Sequence, residues 1–140
     1  MPLRGLNEGP ALEPLGVEEC WRLLGTSPTG RICFSVDHRV QVLLAAVVVH
    51  RDRVHFRASA FGTVARRVLS RPVTLEVDDL QPDQPVTWAV TMTGDVQPVE
   101  DAATLASLWT PVRPVQWDAG QSSLWVALTP DDVQGRRVRR

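Results

Sequence analysis

The stretch RVHFRASAFGTVARRVLSRPVTLEVDD (Arg53–Asp79) decides how the rest of the chain is read. Val54, Phe56 and Ala58 alternate with His55, Arg57 and Ser59, the period of a strand with two unlike faces. Phe61-Gly62-Thr63 is a turn signal, and Thr63 is placed to cap a helix carrying Val64, Ala65, Val68 and Leu69 at helical spacing. Pro72 ends that helix, and Val73–Val77 begins a second strand. An arginine and a hydroxyl on one strand face, next to the N–H groups of a helix start, form a candidate anion site. The plainer alternative is that Arg57 only pairs with a carboxylate.

Working outward, Val17, Cys20, Trp21 and Leu24 recur at i, i+3, i+4 and i+7 and predict a short amphipathic helix with Glu18 and Glu19 in its first turn. Residues 1–14 carry Pro and Gly without periodicity and are expected to be a flexible arm, with one domain over 15–140. Arg31–Val36 reads as a strand, Asp37-His38-Arg39 as a hairpin turn, and Val40–His50 as a strand buried on both faces. Val86–Thr93 places Trp88, Val90 and Met92 on one face, and Gly94-Asp95 suits a bulge or turn. A helix is expected from Glu100 or Asp101 to Trp109, then a proline-bearing loop with Trp117. Leu124–Leu128 is expected as the last strand, followed by a turn at Pro130 and a solvated arginine tail. Strands joined by hairpins, with few and short helices, predict a mainly β protein built on a closed antiparallel barrel.

Composition narrows the chemistry. All 15 basic side chains are arginine, and lysine and tyrosine are absent. That excludes a lysine Schiff base and a tyrosine acid, and leaves proton transfer to His38, His50, His55 or a carboxylate. Glu76 and Asp78 share a strand face, either as an acid–base pair or, more simply, facing solvent or in salt bridges to Arg66 or Arg71. A formal net charge of −1 gives no reason to expect nucleic acid. Cys20 and Cys33 form no metal-ligand pattern and are expected as free thiols. The start lacks an apolar signal core and no apolar run reaches spanning length, so no membrane partner and a cytoplasmic location are expected.

The blocks Glu18–Asp37, Asp52–Thr63, Arg71–Leu80, Thr87–Val99 and Leu124–Val138, in this order and spacing, resemble the pyridoxamine 5′-phosphate oxidase-like, FMN-binding split-barrel proteins of actinobacterial type. The resemblance implies a six-stranded antiparallel split β-barrel with a few short helices. It also implies a homodimer, which five tryptophans in a small chain support, with pockets at the interface for FMN or, in some branches, a deazaflavin or haem. Arg57, Ser59 and Thr63 match the family's flavin-phosphate contacts. Other positions depart from it. Val64 stands where lysine is usual, and Leu44, Ala46 and Val47 where a proline, an asparagine and an aromatic are common. Ala89 replaces a common serine and Ala127 a common arginine.

The resemblance therefore implies a degenerate flavin site, with no cofactor tightly bound and FMN or deazaflavin as the alternative. Three functions follow from it. One is cofactor-independent cyclisation, isomerisation or dehydration of an apolar organic intermediate, plausible in secondary metabolism, with His55 and Arg57 catalytic in a pocket of Ala46, Val64, Trp88, Ala89, Trp117 and Ala127. The second is a flavin-dependent oxidoreductase. The third is a non-catalytic ligand-binding protein.

Overall fold

A computed structural model of the chain describes residues 11–58, 71–108 and 124–139. Within these lie seven strands and two helices. They are β1 (Ala11–Pro14), α1 (Val17–Leu24), β2 (Thr29–Val36), β3 (Arg39–His50), β4 (Arg53–Ala58), β5 (Pro72–Asp79), β6 (Val86–Pro98), α2 (Ala102–Leu108) and β7 (Leu124–Arg139). The strands form one sheet in the order β1-β7-β4-β3-β2-β5-β6, and β6 pairs back onto β7, which closes the barrel. Every pairing is antiparallel.

Period-two patterning builds the interior. Ile32 and Phe34 of β2, Ala45 and Val47 of β3, Val54 and Phe56 of β4, and Val73, Leu75 and Val77 of β5 all face inward. Val90, Met92 and Val96 of β6 and Val126 and Leu128 of β7 meet them, and Cys20, Leu23 and Leu24 of α1 pack into the same core. The two short turns rest on residues that tolerate positive φ. Asp37 and His38 have φ of 51° and 62°, and Arg51 and Asp52 have φ of 51° and 60°. Two consecutive left-handed residues match the right-handed strand twist and make tight hairpins. Asp101 caps α2, its Oδ2 accepting from the Thr104 backbone N–H at 2.7 Å.

Several expectations change in the structure. Seven strands are present among the described residues where six were expected, because Ala11–Pro14 of the expected arm pairs with Arg136–Arg139 as an edge strand. The expected turn at Pro130 and free arginine tail are instead the second half of β7, which runs through to Arg139. Glu13 holds this edge, with its Oε2 3.4 Å from Arg137 and 3.5 Å from Arg139. The first half of β3 is not buried on both faces: Val40 is 73% exposed, Val42 56% and Leu44 44%. Among the described residues Glu76 and Asp78 pair with Arg31 rather than Arg71, and Arg66 lies outside those residues. Both carboxylates accept from Arg31 Nη1, at 2.9 and 2.8 Å.

Gly94 sits where the β6–β7 register shifts, the bulge expected there. A Cβ at this position would run into the Thr129 carbonyl and lie 2.8 Å from Pro130 Cα. Both obstacles are backbone and cannot rotate away. Gly94→Ala is expected to lower stability by about 1–3 kcal/mol in denaturant melts. Gly16→Ser serves as the control, because the N-cap there is extended, uncapped by a side chain and open. Serine at that position is expected to be neutral or to add a few tenths of a kcal/mol.

Candidate functional site

The inward residues of β4 define, by alternation, an outward face of Arg53, His55 and Arg57. The register places the neighbours. His55 stands opposite Ala127 of β7 on one side and Val48 of β3 on the other. Arg57 stands opposite Trp125. Ala46 precedes the inward Val47, which faces Phe56, so it belongs to the same outward side. Gln97 of β6 borders the far side of Ala127.

Although outside the barrel, part of this face is sealed from solvent. His55 and Trp125 are each 2% exposed, and Ala46 and Ala127 are buried as well. Arg57 lies over the Trp125 indole, its guanidinium carbon 5.7 Å from the ring centroid, a cation–π distance. His50 meets His55 edge-on at 6.0 Å. Two buried ring nitrogens here have no hydrogen-bond partner among the described residues, His55 Nδ1 and Trp125 Nε1. Burial pushes the His55 pKa below its usual value, and the nearby positive charges of His50 and Arg53 act in the same direction; the Val48 backbone opposes them. The imidazole is therefore neutral near pH 7 and has a nitrogen available for a proton.

The residues named from the sequence are distributed unevenly. His55, Arg57, Ala46 and Ala127 come together on this face. Ser59, Thr63, Val64 and Trp117 lie outside the described residues. Trp88 does not line the face: it packs into the barrel core with Val90 and Met92, because that side of β6 points inward. Ala89 faces outward but stands opposite Asp78 and Arg136. Eight residues along β6 separate it from Gln97, about 25 Å of strand. Trp125 is a residue of this face that the sequence analysis did not name. The inward Val126 and Leu128 carried the signal, since alternation then turns Trp125 outward beside Arg57.

The cysteines offer no competing chemistry. Burial raises the pKa of both thiols, and the Glu76 carboxylate adds to this at Cys33, so neither is a ready thiolate. No group of residues with metal-ligating potential occurs among the described residues, and no helix among them is long and apolar enough to cross a membrane.

A closed antiparallel barrel with a sealed, donor-rich patch on its outer face defines the split-barrel class. The chain belongs to the pyridoxamine 5′-phosphate oxidase family, whose model matches residues 16–137. No curated protein matches the chain. Among solved structures it is similar to an FAD binding protein from Mycobacterium smegmatis, at 27% identity and a TM-score of 0.72, over 92% of this chain and 100% of that one. An FAD-binding protein from Mesorhizobium loti is similar at 15% identity and TM-score 0.69, over 94% and 100% of the two chains. An FAD and heme binding protein from M. smegmatis is similar at 15% identity and TM-score 0.70, over 91% of this chain and 73% of that one.

A flavin fits the described residues only in part. Arg57 supplies one cation to the face. Arg53, four residues along the same strand, is about 13 Å away, too far to hold the same phosphate. The floor beside Arg57 is Ala46, Val48 and Ala127, which offer a ring no side-chain hydrogen bond. The described residues thus provide surface for a flat ring and one anionic contact, and do not build a tight phosphate cradle.

His55 has a consequence for stability. Its folded pKa lies below 6.5, so between that lowered value and 6.5 the unfolded chain binds more protons than the folded one. Stability is expected to fall as pH drops through this window. Glu76 runs the other way: burial, then Asp78, raise its pKa and favour the folded state on the acid side. Denaturant melts at pH 7.5 and 5.5 are expected to show a smaller acid loss in His55→Gln than in the parent chain. An equal loss in both would show that His55 titrates normally.

Proposed function

We propose that the outer face of β4 and β7 is the ligand site of a split-barrel protein that has given up tight flavin binding. It acts there on an apolar organic molecule by a cofactor-independent cyclisation, isomerisation or dehydration. The observation carrying this reading is His55, a buried, neutral imidazole with an unpartnered nitrogen on a floor of alanine and valine. Such a group can take a proton from a bound substrate and return it. The apolar floor selects the substrate, and enclosure orients it. Arg57, beside it, neutralises developing negative charge.

The family's flavin supports a second reading, an FMN- or deazaflavin-dependent oxidoreductase. Arg57 on this face favours it, as does the 27% identity to an FAD binding protein over nearly the whole chain. When bound, a flavin supplies hydride transfer. Arg57, Ser59 and Thr63 would hold its phosphate, and the described face would seat its ring.

Titration with FMN, followed by flavin fluorescence quenching, separates the two. Missing one or two charge-assisted contacts, each about 1.5–3 kcal/mol, weakens binding by roughly two to four orders of magnitude at about 1.4 kcal/mol per tenfold. Affinity in the micromolar range or weaker is expected, and Arg57→Ala is expected to weaken it further while the fold melts normally. Saturation at nanomolar FMN would establish the oxidoreductase reading instead.

A homodimer belongs to the same proposal. Val40, Val42 and Leu44 share the outward side of β3 and are exposed, an apolar stripe continuous with Ala46 and Val48. A second copy laid on this stripe would cover it and wall the ligand site. Light scattering at micromolar concentration is expected to give twice the chain mass, and Val42→Asp to give the monomer. A monomeric parent protein would refute the dimer.

A further inference from the structure

We propose that the ligand of this face is recognised through oxygen acceptors by two donor-only groups, Trp125 and Arg57, with Trp125 Nε1 as its specificity-determining group. The substrate class is then a flat, apolar molecule bearing a carbonyl or carboxylate, and amine-bearing or purely hydrocarbon analogues are rejected. This deepens the proposed function and rests on the face being a ligand site.

The indole N–H has no acceptor capacity, so its only satisfied state is as a donor. Leaving it buried without an acceptor costs about 1–3 kcal/mol, and folded proteins rarely leave such groups unmatched. Here two rings in one strand pair do so, on the same face. Because Arg57 faces Trp125 and His55 faces Ala127, His55 and Trp125 are diagonal neighbours across the β4–β7 ladder. Diagonal positions lie about 7–8 Å apart, so one bicyclic molecule spans both.

The surrounding charges agree. Ala46–His50, Arg53–Arg57 and Leu124–Leu128 contain no carboxylate, so these segments hold no anionic acceptor for the indole. The Arg57 guanidinium, which cannot accept a hydrogen bond either, lies over the same indole. Trp125 N–H and Arg57, neither of which can accept, together favour oxygen lone pairs and penalise an ammonium group.

The other candidate, the cleft between Thr29, Arg31, Leu44, Glu76 and Asp78, contains two carboxylates already bridged by Arg31. Its polar groups satisfy one another and ask for no ligand.

Three probes sharing one skeleton test the proposal on the full chain: 2-naphthoate, 2-(aminomethyl)naphthalene and naphthalene. Affinities come from quenching of tryptophan fluorescence, and the indole N–H signals are followed by proton–nitrogen NMR. 2-Naphthoate is expected to bind at least tenfold more tightly than the other two. It is expected to move one indole signal downfield, the signal that Trp125→Phe removes. Trp125→Phe is expected to weaken naphthoate binding about tenfold, one hydrogen bond to a charged acceptor, and to leave naphthalene binding unchanged. If Trp125→Phe does not fold, the shift of a single indole signal in the parent chain, present with naphthoate and absent with naphthalene, decides the matter.

Equal affinity for the three probes, no detectable naphthoate binding, or binding with every indole signal unmoved would overturn the inference. These outcomes are distinct from failure of the functional reading. Nanomolar FMN affinity would end the flavin-loss reading while leaving the naphthoate preference intact. Weak FMN binding without that preference would end only the donor-set inference.

Discussion

The closure of β7 against three other strands is the constraint on which the rest of the structure depends. Its first five residues pair with β4, Val126–Arg139 pair with β6, and its last four pair with β1. An open sheet exposes a row of unpaired N–H and C=O groups at each edge. Here the β6–β7 pairing removes the edge that β6 would otherwise present. That pairing needs the register shift at Gly94, because the strands turn the barrel corner where Gly94 meets the Thr129–Pro130 backbone.

Closure also creates the outer face proposed as the ligand site. Once Val126 and Leu128 are committed to the interior, Trp125 and Ala127 must face out, and the same holds for His55 and Arg57 between Val54 and Phe56. The fold thereby turns a histidine, an arginine and a tryptophan toward one side of a rigid two-strand ladder. Side chains set on strands hold their spacing better than loop residues do. Burial then lowers the His55 pKa and leaves two ring nitrogens without partners among the described residues.

The paired carboxylates show the opposite outcome. Glu76 and Asp78 share a face, as a catalytic pair would, yet one nitrogen of Arg31 bridges them. Arg31 lies 45 residues before Glu76 in the chain and becomes its neighbour because β2 pairs with β5. The ion pair occupies lone pairs that a proton-transfer role would need.

Local residue patterns determined most of the elements. The alternation of Val54, Phe56 and Ala58, the i, i+3, i+4 spacing in α1, the paired turn residues at 37–38 and 51–52, and the bulge at Gly94 each have local causes, and each is present. The hairpin order was enough for an antiparallel barrel. The tertiary structure decided what depends on partners distant in the chain. Ala11–Pro14 and Gly135–Arg139 carry no strand signal of their own and become strands because each completes the other's ladder. Trp88 shares a face with Val90 and Met92 in the sequence pattern, but which face closes inward is set by the whole barrel. The same reason removed Trp88 from the candidate site and brought Trp125 into it: a strand's period of two divides its residues into two sets, and only the other strands decide which set meets the core.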